Sequence, residues 1–581
     1  MQNITRREFI KNAALGLAAW GLLPYESVFA ALRTGADLVV YGKVFTAENN
    51  QLVQAFAVKD GKFVYVGDRK GAEAFIVRGR TEVVDYTGKG LVMPSCGNGH
   101  AHYSMANALQ SAGTIVDRDD SVEKFLREVV PSAVQKAKNS GASSIFGFGW
   151  NSMEFPKNMP TRQQLDAICD DIPMYFADEE GHKGLVNTLM LVKAGIMSAD
   201  GKVLKREIRG GEIDFGSDGT PSGYLKEQAG TYTRSFLDND NLFTVDMARE
   251  VMDKIQTQLL AEGYTMYIDG WGNYFYNDNF CEAAQQFDKS GKMKFILGTT
   301  YEMESWMNVD SALAKAIATK KFESAHVKPR WIKIFMDGTV ETGTGFIEPL
   351  YLDGHQGIPN WSEEELAEIT RKANANGITM HVHVMGNKGV NRVVNAYVKG
   401  GNSEMRNTLV HVYGVIPSDY KRMAENNIYV TSGMLWHHAT EELQADLAKI
   451  LPVEMADKGY PMKSFFDNGI NISSHTDFPA LSGSSDDPFD GMETMVTGKY
   501  YSENAKPWWT EECLTREQAL QAMTIGVAKQ MFLENERGSI KQGKYADFLL
   551  VDKDVLTCPV TEIHTGKTAA TYFEGEKVFS R

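Results

Sequence analysis

Pro94-Ser95-Cys96-Gly97-Asn98-Gly99-His100-Ala101-His102 is the stretch on which the reading of this chain turns. It closes the apolar run Gly90-Leu91-Val92-Met93, which reads as the entry to a strand. His100 and His102 lie two residues apart, and on a strand that period turns both imidazoles to one side. Two imidazoles aimed at one point make half of a zinc site, which takes three or four N, O or S donors. A His-x-His pair also arises by chance in turns, so the other donors must come from elsewhere in the chain.

Downstream, short apolar runs alternate with longer helical patterns, as parallel β/α units do. Strands are expected at Tyr264 to Asp269, Met293 to Thr299, Trp331 to Met336, Ile378 to His383, Thr408 to Val412, Ile428 to Ser432 and Ile470 to His475. With the His100 strand these make eight, the number an α/β chain needs for a (β/α)8 TIM barrel. In that fold the chemistry sits at the C-terminal ends of the strands. Those ends hold His100 and His102 on the first strand, Lys333 on the fourth, His381 and His383 on the fifth, His411 on the sixth and Asp477 on the eighth. Each histidine alone reads equally well as a hydrogen-bonded structural residue. Together on one rim they point to a divalent metal.

More than a hundred residues separate the first two strands, with strand-like runs of their own at Ser144 to Trp150 and Met174 to Ala177. They predict a large insertion at about 110–255, near the barrel mouth. Both ends of the chain are β-rich, and Asp60-Gly61 between two apolar runs is a hairpin signal. The organisation expected is a leader at 1–30, a barrel at 93–535, and a small β-sandwich composed of 31–92 and 536–581.

The leader has Thr5-Arg6-Arg7-Glu8-Phe9-Ile10-Lys11, a modest apolar run from Ala13 to Leu23, and Val28-Phe29-Ala30. It resembles a bacterial twin-arginine signal with cleavage near Ala30. This implies the twin-arginine export machinery as a partner and a periplasmic or secreted enzyme exported folded. No other stretch approaches the ~20 apolar residues of a membrane-spanning helix, so no membrane is expected beyond the signal segment. Of 581 residues, 43% are hydrophobic and 23% charged, and the mean hydropathy is −0.30. That is ordinary for a soluble protein. A net charge of −15 argues against a nucleic-acid partner, which needs a basic footprint. The five cysteines are odd in number, scattered and without a C-x-x-C pair, which reads as free thiols. Oligomeric state is unreadable, and a homodimer is compatible with the chain.

Beyond these readings, the chain resembles the amidohydrolase superfamily, and within it the YtcJ-like amidohydrolase family 3. The resemblance rests on Met93-Pro94 to His102, Glu180-Gly181-His182, Gly219 to Glu227, Lys333 to Gly338, His383 to Asn387, His411, His475 to Pro479, and Gly538 to Asp547. It implies that His100 and His102 hold the more buried metal, and His383 and His411 a second. Lys333 is then N-carboxylated and bridges the two. Asp477 binds the first metal and serves as general base and acid for a metal-bound hydroxide. One or two Zn2+ ions fit this picture. His381 shares the face of His383; His383 is preferred because Gly386-Asn387 follows it, as Gly-Asp does in the family.

The activity implied is hydrolysis of a C–N bond of a small-molecule substrate: an amide, formamide or cyclic amide. His182, Glu227, Trp150 and Asp337 are the substrate-binding candidates, although each also reads as an ordinary structural residue. Departures from the family pattern fall beside the ligands: Gly386-Asn387, Val410-His411-Val412-Tyr413 and Ser474-His475-Thr476-Asp477. They leave the substrate open. The competing readings are a mononuclear deaminase of a heterocycle and a barrel that binds metal or ligand without turnover.

Overall fold

Eight parallel strands follow one another around a single sheet in chain order: Cys96–Ala101, Tyr264–Asp269, Ile296–Glu302, Val327–Phe335, Thr379–Val384, Thr408–His411, Tyr429–Gly433 and Ile472–His475. The structure is a computed structural model that describes residues 35–151, 155–179, 181–272, 278–479, 485–502 and 506–581. The expected leader at 1–30 lies outside the described residues, as does Glu180. Every neighbouring pair of the eight strands is parallel. The first and last strands meet across a seam. There the Asp477 N–H donates to the His100 carbonyl at 3.1 Å, and the His102 N–H to the Phe478 carbonyl at 2.7 Å. Asn98 Nδ2 donates to Thr476 Oγ1 at 2.7 Å. The sheet is thus a nearly closed barrel, as the strand count predicts.

Parallel sheets are covered on both faces, so their strands read as continuous buried runs. Ile268, Leu297, Ile332, Ile334, Val382, Leu409 and Val430 are all fully buried. Each such side chain stabilises by roughly 1.5–3 kcal/mol. The helices begin and end where their sequence requires. Helix Val245–Glu262 starts at Thr244, whose side chain accepts from the Met247 N–H. It stops at Gly263, which adopts φ 95°, and the second barrel strand starts one residue later. A Cβ on Gly263 would sit 2.7 Å from Leu549, so this glycine ends the helix and also lets the terminal sheet approach.

Between the first two barrel strands lies a six-stranded sheet, in the order Gly211–Phe215, Pro221–Glu227, Lys183–Val186, Met174–Asp178, Ile145–Trp150, Thr114–Ile115. It has an apolar cluster of its own around Phe125, Trp150, Phe155, Leu165 and Phe176. The two ends of the chain share an eight-stranded sheet. Its join is Leu91–Pro94, antiparallel to Phe548–Val551. Leu91–Pro94 passes through Ser95 directly into the first barrel strand, so the terminal sheet anchors the residues that lead to His100. The expected hairpin is present: Leu52–Lys59 pairs antiparallel with Lys62–Gly67 around Asp60-Gly61. All five cysteines are free. Among the described residues no helix is long and apolar enough to cross a membrane.

Candidate metal centre

A cavity of about 500 Å³ opens at the C-terminal rim of the barrel, and His100, His102, Lys333, His383, His411 and Asp477 all line it. Six side chains spread over nearly 380 positions of sequence therefore reach one place. The first strand delivers His100 and His102 by its period of two. Lys333 pairs in register with His381, and Phe335 with His383, across the fourth and fifth strands. His411 closes the sixth strand, and Asp477 follows the eighth by two residues. His411 and Asp477 hold left-handed backbone conformations, with φ of 77° and 57°. Such conformations in non-glycine residues concentrate at functional sites, because the surrounding fold must impose them.

The donor atoms have the spacing of a cation shell. His100 Nε2 lies 3.3 Å and His102 Nε2 3.1 Å from Asp477 Oδ1. Two donors on one tetrahedral zinc ion, each 2.0–2.2 Å from it, stand about 3.3 Å apart. These approaches are close but not aligned as hydrogen bonds. Asp477 Oδ1, His102 Nδ1 and His411 Nδ1 are buried with no hydrogen-bond partner. A buried polar atom left unpaired costs about 1–3 kcal/mol, and a bound cation removes that cost. Two groups could each hold an ion, His100–His102–Asp477 and His411–His475–Asp477, with the donor atoms of each lying within 4.8 Å of one another. The residues present fit a divalent metal.

Electrostatics point the same way. Burial first, and then neighbouring positive charge, holds His100, His381, His383 and His411 well below the ordinary imidazole range. Burial likewise lowers His475 to about 4. Neutral imidazoles offer the lone pairs that a metal takes. Burial lowers the Lys333 amine to about 8, against the carboxylates of Asp477, Glu302 and Glu304, which raise it. Its Nζ stands 3.2 Å from His100 Nε2.

The substrate-binding candidates scatter. His182 lines the cavity, and its Nδ1 is 2.9 Å from Glu227 Oε2. Glu227 does not line the cavity; it holds His182. Trp150, expected at the pocket, is a correction: it is fully buried in the core of the insertion, and its Nε1 donates to the Phe176 carbonyl at 2.9 Å. Its six-residue strand buries that face inside the insertion rather than toward the barrel. Asp337 is likewise no substrate contact. It lies buried behind the rim, accepting the backbone N–H groups of Phe346, Met385 and Gly386 at 2.8–2.9 Å. It therefore ties the loop after the fourth strand to the end of the fifth.

Other residues shape the site, among them His381, which the sequence offered as the alternative to His383. His381 accepts or donates at 2.9 Å between its Nε2 and His100 Nδ1, so it orients a ligand. Gly270 stands so close that a Cβ there would be 2.3 Å from His100 Cε1 and 2.7 Å from His102 Cε1. Trp271 packs 5.0 Å from the His102 ring and donates from Nε1 to Glu302 Oε1 at 2.8 Å. His475 had a signal: it precedes Asp477 by two residues, the same spacing as His100 and His102.

The N-substituted formamide deformylase of Arthrobacter pascens is 25% identical over 570 residues, 94% of this chain and 98% of that protein. Protein LONG AFTER FAR-RED 3 of Arabidopsis thaliana is 23% identical over 564 residues, 94% of this chain and 92% of that protein. The solved structure of an uncharacterized metal-dependent hydrolase from Pyrococcus horikoshii OT3 shares the fold. It has a TM-score of 0.68 at 20% identity, over 90% of this chain and 99% of that one. The profile of the Amidohydrolase family matches residues 82–579, a span that takes in the barrel, its insertion and most of the terminal sheet. The chain belongs to the amidohydrolase family and is a hydrolase acting on carbon–nitrogen bonds.

Proposed function

We propose that this enzyme hydrolyses the amide bond of a small N-substituted formamide or a related cyclic amide, with zinc at the barrel rim. The observation that carries the reading is the convergence of His100, His102 and Asp477 at donor spacings of 3.1–3.3 Å on the floor of a mostly apolar cavity. His100, His102 and Asp477 hold one ion, and His411 and His383 stand on the side of a second. When bound, such an ion polarises a carbonyl and lowers the pKa of water toward about 7. Asp477 takes a proton from the attacking water and delivers it to the departing nitrogen. His182, fixed through Nδ1 by Glu227, faces the substrate from the insertion. Trp271, Phe335 and Trp436 line the cavity and suit an apolar substituent on nitrogen. The formamide class is supported by the relative from Arthrobacter pascens, whose name states that activity.

Lys333 is proposed to be N-carboxylated. A lysine must lose its proton to add CO2, and burial has lowered this amine to about 8. Mass spectrometry of the native protein tests this, through a mass gain of one CO2 that acid removes.

The test of function is a screen of zinc-loaded protein against N-substituted formamides and N-acyl amino acids, reading released amine, and against cyclic imides, reading the ring-opened acid. Turnover of a formamide with formate and amine in equal amounts is the expected result. Ammonia release from a heterocycle, with no amide cleaved, would overturn it in favour of a deaminase. We further propose export of the folded enzyme through the Arg6-Arg7 leader. Replacing both arginines by lysine should leave the enzyme in the cytoplasm on cell fractionation.

A further inference from the structure

We propose that His475 is a metal ligand, and that with His411 and Asp477 it forms a second cation position sharing Asp477 with the first. The proposal rests on the metal-dependent reading above and adds a residue to its ligand set. By resemblance, His383 and His411 would hold the second ion. In the structure, His383 Nε2 lies 3.3 Å from the Gly338 carbonyl, a contact that leaves Nδ1 as the nitrogen able to face such an ion. Beside that pair, His411, His475 and Asp477 each bring one donor atom within 4.8 Å of the others.

His475 is fully buried, and neither of its ring nitrogens has a hydrogen-bond partner. A structural histidine this deep ordinarily satisfies at least one nitrogen, because each unpaired buried atom costs about 1–3 kcal/mol. The contrast with His381 is direct. That residue is equally buried but bonds to His100 at 2.9 Å, which accounts for its place in the fold. The His475 ring packs 4.9 Å from the His411 ring and 5.6 Å from that of His100. It does not line the cavity, so it is no substrate contact, and an ion between His411, His475 and Asp477 would meet its lone pair. The separation of His411 Nδ1 from Asp477 Oδ2 is 3.9 Å, wider than the first position shows.

The experiment loads the full chain and its His475→Ala and His475→Gln variants with zinc, removes free metal, and counts zinc per chain by mass spectrometry. Circular dichroism checks folding. Each folded variant is expected to hold one zinc fewer than the parent. In a crystal of the parent, anomalous diffraction should place a zinc about 2.0–2.1 Å from a His475 nitrogen. An unchanged zinc count in a folded variant, or a zinc-bearing crystal with no ion in reach of His475, overturns the assignment while leaving the metal-dependent reading intact. A parent that takes up no zinc overturns both. Should both variants misfold, the anomalous map of the parent decides alone.

Discussion

The two ends of the barrel treat buried charge in opposite ways. At the N-terminal end, Arg537 bonds to Asp547 and Glu574 together, and its guanidinium lies 4.2 Å over the Tyr545 ring. His326, just before the fourth strand, bonds to Asp288 at 2.6 Å and approaches Glu574 at 3.4 Å. Each of these charges has an opposite partner. At the C-terminal end, buried nitrogens and a carboxylate oxygen crowd within a few ångströms and stay unpaired. A closed network is what structure needs; an open one is unstable until something enters it. The difference marks which end of the same fold is built for stability and which for chemistry.

The largest effect is expected from Asp477→Asn, which keeps the shape of the residue but removes its proton-carrying role. With any substrate found in the formamide screen, kcat should fall by about 10²–10⁴-fold while the unfolding midpoint stays near that of the parent. Unaltered turnover would remove Asp477 from the chemistry. At the opposite end, Arg537→Leu strands the buried Asp547 carboxylate. Breaking a buried pair costs about 3–5 kcal/mol, to be read by denaturant unfolding, while turnover per folded molecule stays unchanged.

A smaller effect should follow Gly270→Ala. The added methyl would press on both first-strand imidazoles, and overpacking of this kind costs about 1–3 kcal/mol. Zinc content should drop along with stability, whereas an equal insertion away from the rim would lower stability alone. The smallest effect concerns pH. Burial raises the Glu574 carboxyl, but His326 and Arg537 outweigh it and hold it down at about 2. A lowered folded pKa contributes stability that is complete above the unfolded value near 4.5 and is lost as pH falls through about 2. Glu574→Gln should therefore flatten the fall of stability with pH in that window. If the slope is the same in both proteins, the network does not stabilise the fold.

Strand existence was legible because a parallel barrel buries each strand on both faces, so apolar runs such as Thr408 to Val412 stand out. Strand limits were less so. The third strand starts at Ile296 rather than Met293, and the fourth at Val327 rather than Trp331. Lys328, Pro329 and Arg330 do not look like strand residues, yet Lys328 and Pro329 pair with Gly298 and Thr299, and the register shifts by one at Arg330. Trp150 misled for a related reason. An aromatic near a strand end resembles a pocket wall, and only the packing of the insertion on itself turns that ring inward. The role of His381 was equally hidden, because its partner His100 lies 281 positions away.

By itself, the sequence determined the number of strands, their parallel arrangement and the side chains that stand at their C-terminal ends. Those features follow from local periodicity and the burial it implies. It could not determine which of those side chains share a common centre, that Glu227 holds His182, or that both nitrogens of His475 lie unpaired. The Glu227–His182 contact spans 45 positions within the insertion; the common centre depends on distances between residues hundreds of positions apart. Such distances are set by the closure of the barrel, a property of all eight strands together and of no single stretch.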